Sequence, residues 1–86
     1  MRDTPYATEL ATADIDGFRI ERLRIKEHDQ EAIRFSWWKD GTLTMRPLDI
    51  TEPRLLPLMR SAMNQGVFTD DFLRGLQAVL AEHFLD

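Results

Sequence analysis

The chain contains no cysteine. That excludes disulfides, thiolate nucleophiles and thiolate metal sites, and it fits a reducing compartment, so a cytoplasmic location is expected. No apolar run approaches the ~20 residues of a membrane span. Residues 1–16, MRDTPYATELATADID, lack the apolar core of a secretory leader. Glycine is scarce, at four residues in 86, and none are arranged as a phosphate-binding loop. Positive charge is outnumbered, with 11 Lys and Arg against 15 Asp and Glu, giving a net charge of −4. An acidic balance weighs against a general nucleic-acid binder.

The residues of catalysis are equally thin. Ser36 and Ser61 have no neighbouring base and no nucleophile-elbow motif. His28 sits in the run EHDQE, which has no defined ligand spacing and reads as a solvated turn. His83 falls in the last turn of a predicted helix, where an imidazolium suits the negative end of the dipole. Asp70-Asp71 resembles a catalytic carboxylate pair, but a helix start explains it as well. The expectation is a protein without catalytic activity, cofactor or metal.

What is present is a patterned small domain. Residues 1–86 form one unit, too small to bury more than about 60–65% of the unfolded surface. Residues 1–7 have no periodicity and are expected to fray. Residues 8–16 are ambiguous and become a strand if Asp16-Gly17 is a turn. Phe18–Glu27 is a strand. Its apolar members Phe18 and Ile20 are out of phase with Leu23 and Ile25, which a bulge near Glu21-Arg22 would reconcile. The segment 32–47, AIRFSWWKDGTLTMRP, reads as a β-hairpin around Asp40-Gly41.

Two hairpin loops compete. A two-residue Asp40-Gly41 turn pairs Trp37 with Thr44 and sets apolar residues against polar ones. A three-residue Lys39-Asp40-Gly41 loop pairs Trp37 with Leu43 and Phe35 with Met45, leaving one face wholly apolar. One buried face fixes register strongly, so the three-residue loop is expected, with Gly41 in the left-handed region.

Two helices follow. One starts near Asp49-Ile50-Thr51-Glu52, with either Asp49 or Thr51 as N-cap. Pro57 is expected to kink it or delay its start, and Gly66 is expected to end it as the C′ residue. The other is capped by Thr69, with Asp70 and Asp71 at its positive end and Phe68 and Leu73 placed for a hydrophobic staple. The predicted fold class is α+β. An antiparallel β-meander of three strands, or four with residues 8–16, occupies residues 18–48. Two C-terminal α-helices, within residues 50–85, pack on one sheet face.

Continuing the expected register across residues 28–30 pairs Ile25 with Ile33 and Leu23 with Phe35. Arg24, Arg34 and Arg46 then stand in line on the other face, with Arg22, Lys26 and Trp38 around them. Like charges directly opposite destabilise a sheet, so two readings stand. Acidic side chains neutralise the row, with Glu9, Asp14 and Asp16 as candidates. Alternatively the six residues bind a partner, since arginine and tryptophan are enriched at binding hot spots. The partner would be a protein with an acidic surface, a second copy of this chain, or, less well supported, nucleic acid. No membrane contact is expected. The functional expectation is a small protein-binding regulator or inhibitor acting through this basic face.

Overall fold

A computed structural model describes residues 2–85. The expectation for Met1 therefore lies outside the described residues. The chain divides into two compact units, one ending at Leu55 and the other beginning at Leu56. It is an α+β chain: an antiparallel sheet followed by two helices.

The sheet opens with strands β1 (Ala7–Ile15), β2 (Phe18–Ile25) and β3 (Gln30–Lys39). β1 settles the ambiguity of residues 8–16. The turn Asp16-Gly17 has φ of 54° and 86°, and Asp40-Gly41 has 53° and 77°. Positive φ at both central residues is the hairpin geometry that matches strand twist. The two glycines differ in one respect. A Cβ on Gly17 would overlap the Trp38 carbonyl, whereas Gly41 faces open space.

The β3 hairpin therefore differs from the expectation. Its turn has two residues, pairing Trp38 with Leu43 and Lys39 with Thr42. The returning strand β4 (Thr42–Leu43) is brief. The chain arches away over residues 45–47 and rejoins β3 as β5 (Leu48–Ile50), with Ile33 opposite Ile50 and Phe35 opposite Leu48. Pro47, which has no N–H to give a ladder, falls in that arch. The expected pairs Trp37–Leu43 and Phe35–Met45 do not form.

The β2–β3 register also differs. The connection is Lys26-Glu27-His28-Asp29, with Asp29 at φ 46°, so Ile25 meets Gln30 and Leu23 meets Ala32. The offset from the expected pairing is an odd number of residues, which exchanges the faces of one strand relative to the other. β2 itself is regular. The irregularity lies in β1, between Glu9 and Ala11. Phe18 and Ile20 therefore occupy one face, and Leu23 and Ile25 the other.

Residues 2–4, expected to fray, turn back along β1. Asp3 bridges Thr8, and the Glu9 amide donates to the Arg2 carbonyl at 2.7 Å. The core of the chain is Ala7, Leu23 and Ala32, with Glu21 buried among the polar residues.

Helix α1 (Glu52–Asn64) begins directly after Thr51 and runs through Pro57. Asp49 belongs to β5 instead. Gly66, at φ 73°, closes α1 as the C′ residue: its amide donates to Met63 and the Val67 amide to Ala62. Helix α2 (Asp70–His83) is capped by Thr69, whose Oγ accepts from the Phe72 amide at 3.1 Å. Phe68 lies against Phe72, ring centroids 5.1 Å apart. Neither helix contains a buried residue. No helix among the described residues is long and apolar enough to cross a membrane.

Candidate protein-binding face

The observed register sorts the sheet into two unlike faces. One carries Leu23, Ala32 and Ala7, the buried core, together with Glu9, Asp14, Arg19, Glu21, Arg34, Ser36, Trp38 and Asp49. We call it the core face. The other is built from three cross-strand rows: Ile15–Phe18–Trp37, Ala13–Ile20–Phe35–Leu48 and Ala11–Arg22–Ile33–Ile50. A fourth row sets Arg24 against Glu31. We call this the open face.

On the core face, opposite charges stand directly across the strands. Arg19 pairs with Asp14 at 2.9 Å. Arg34 is flanked by Glu21 on β2 and Asp49 on β5. It donates twice to Asp49, Nε to Oδ1 at 2.6 Å and Nη2 to Oδ2 at 2.8 Å, the fork geometry that arginine offers a carboxylate. Those hydrogen bonds raise the Arg34 pKa above its ordinary value.

Glu21 is the centre of this face. Its side chain is closed off from solvent, and its Oε2 accepts from Arg2 Nη2 at 2.9 Å. Ser36 Oγ donates to its Oε1 at 3.4 Å and accepts from Trp38 Nε1 at 3.0 Å. The guanidinium groups of Arg2 and Arg19 lie over the Trp38 ring, 5.4 and 4.5 Å from its centroid, within cation–π range. Burial pushes the Glu21 carboxyl above the ordinary glutamate range, with the Arg2 charge opposing. Glu9 moves the other way, because the Arg2 backbone amide donates to its Oε2 at 3.1 Å and favours the ionised form. Two carboxyls with opposed shifts are a known acid–base arrangement. Here the raised one has its side chain entirely enclosed.

The open face has the reverse character. Ile15 is 75% exposed, Phe18 63%, Ile20 52% and Leu48 55%. Phe18 and Trp37 stack in parallel, centroids 5.7 Å apart and planes 8° apart. Beside them lies a shallow groove of about 400 Å³ lined by Ala13, Ile15, Phe18, Ile20 and Phe35 among others. At the far end of the same face, Arg22 reaches Glu31 at 3.0 Å and Glu52 at 2.6 Å. Arg24 reaches Asp29 at 3.4 Å.

The six residues proposed from sequence are not brought together. Arg22 and Arg24 lie on the open face, Arg34 and Trp38 on the core face. Lys26 lies in the β2–β3 connection and pairs with Asp3 at 2.7 Å. Arg46 lies exposed in the arch between β4 and β5. The expected line of Arg24, Arg34 and Arg46 does not exist, because the odd register offset separates Arg24 from Arg34. Neutralisation by carboxylates does occur, through Asp3, Asp29, Glu31, Asp49 and Glu52. Of the three candidates named for that role, Asp14 takes Arg19 and Glu9 takes the Arg2 amide.

Sequence reasoning missed the open face: Ile15, Phe18, Ile20, Trp37 and Leu48. The signal was present in the phase change between Ile20 and Leu23. It reads correctly only if β2 is left straight. No protein-family model, curated protein or solved structure matches the chain.

Proposed function

We propose that this is a non-catalytic protein-binding module, a regulator or inhibitor that acts by occupying a surface, and that its contact is the open face. One observation carries the reading: five large apolar side chains, including a stacked Phe–Trp pair, are exposed in adjacent rows of one sheet face. Contiguous apolar patches of this kind mark interaction sites. Arg22 and Arg24 become the polar rim of that face, where charges tune orientation more than affinity. The arginines at Arg22, Arg24 and Arg34 are already answered by carboxylates, which argues against a basic surface held for an acidic partner or for nucleic acid. The lack of cysteine supports a cytoplasmic setting.

A photo-crosslinking residue placed at Ile20, on the open face, is expected to capture the partner. The same residue at Thr12, exposed on the core face, is expected to capture nothing. Capture from Thr12 alone would move the contact to the core face and overturn this assignment.

A further inference from the structure

We propose that the occupant of the open face is a second copy of this chain, packed face to face about a two-fold axis. The inference rests on the reading that the open face binds protein, and it puts the chain itself in the place of a separate target on that face.

Area comes first. Aromatic side chains cover about 150–250 Å² each and Ile and Leu lie near the lower end of that range, so with Trp37 38% exposed and the others as given above the face offers about 500 Å² per copy. Two copies covering the whole face bury about 1,000 Å² together, the lower limit of a biological interface and the size of a weak, concentration-dependent dimer. Shape comes second. The face carries both a ridge, the stacked Phe18 and Trp37, and a neighbouring depression over the small Ala13. A two-fold operator places the same patch on both sides of the contact, so each ridge can meet the other copy's depression. Charge comes third. The ionic groups of the face, Arg22 and Arg24, are paired within their own chain. The apolar rows therefore offer no net charge by which a charged partner would be selected. They ask for an uncharged apolar surface, and a second copy supplies one.

Light scattering coupled to size exclusion, run from micromolar to submillimolar protein, is expected to give twice the 10.1 kDa chain mass. Phe18→Asp and Ile20→Lys, each checked for an unchanged far-ultraviolet circular dichroism spectrum, are expected to halve that mass. Hydroxyl-radical labelling of Phe18 and Trp37 in the wild type is expected to rise on dilution. A wild type that stays at chain mass with Phe18 and Trp37 readily labelled overturns the dimer and leaves the binding face standing. A wild type at chain mass with those residues protected overturns both readings. A dimer unaffected by either substitution, with no change in labelling on dilution, places the contact elsewhere and overturns the proposal.

Discussion

The two faces of the sheet share their strands yet handle side chains in opposite ways. On the core face opposite charges stand across the strands, Asp14 opposite Arg19 and Arg34 between Glu21 and Asp49. On the open face Ile15, Phe18, Ile20 and Leu48 are apolar and stay in contact with water. The difference teaches that hydrophobicity did not choose this register alone. The phase change in β2 puts an apolar half on each face whatever the pairing. Charge complementarity then separates good registers from bad ones, because like charges directly opposite are penalised and opposite ones rewarded.

The contrast can be broken most sharply in the core. Leu23→Ala removes a side chain that is 2% exposed and is expected to cost about 2–5 kcal/mol of stability. Phe18→Ala, measured by urea denaturation at low protein concentration, is expected to cost well under half of that. Equal costs would mean that the open face is covered within the single chain.

Arg2→Ala comes next. It leaves the enclosed Glu21 carboxyl without its charged partner and is expected to cost about 1–3 kcal/mol. The pH dependence sharpens the same point. Glu21 is shifted up, so the stability it contributes is full below the ordinary glutamate value of 4.5 and is lost as pH rises through its folded pKa. Glu9 is shifted down, so its contribution is present above 4.5 and is lost as pH falls through its folded pKa. Glu21→Gln should therefore gain stability relative to wild type between pH 4.5 and neutrality. A pH-independent gap between the two urea midpoints would exclude the buried-acid assignment.

The two turns that set the faces should respond unequally. Gly41→Ala is expected to cost about 1–2 kcal/mol, for the left-handed conformation alone. Gly17→Ala should cost more, because its Cβ must also displace the Trp38 carbonyl. Thermal melts of the two variants compare them directly.

The smallest effect is expected at the partly exposed Arg34–Asp49 pair. Asp49→Ala should cost less than about 1 kcal/mol. Arg34→Glu should cost more than Asp49→Ala, because it sets a third carboxylate between Glu21 and Asp49. Adding Asp49→Arg to it should recover part of the loss. No recovery would remove charge pairing from the explanation of the register.

Much of the fold was legible in local sequence. Asp16-Gly17, Gly66 and Thr69 announce their conformations because each depends on a few neighbouring atoms, and Asp40-Gly41 announces the place of its turn though not the turn's length. The faces were not legible. They depended on whether the β2–β3 connection has three residues or four and the β3 hairpin two or three. Chain locality constrains such small differences weakly, and each odd error exchanges faces. The candidate site failed with them, since Arg24 and Arg34 share a row in one register and lie on opposite sides of the sheet in the other.

The sequence by itself determined that strands precede two helices, that the chain turns near Asp16-Gly17 and Asp40-Gly41, how the helices end at Gly66 and begin at Thr69, and the absence of thiol chemistry. Those follow from backbone sterics, hydrogen-bond capping and composition. Only the tertiary structure decided which side chains share a face, which arginines are already paired, and that Phe18, Ile20 and Trp37 stand uncovered. Those follow from pairing between strands. Strand pairing sums many small cross-strand terms, and no single residue declares it.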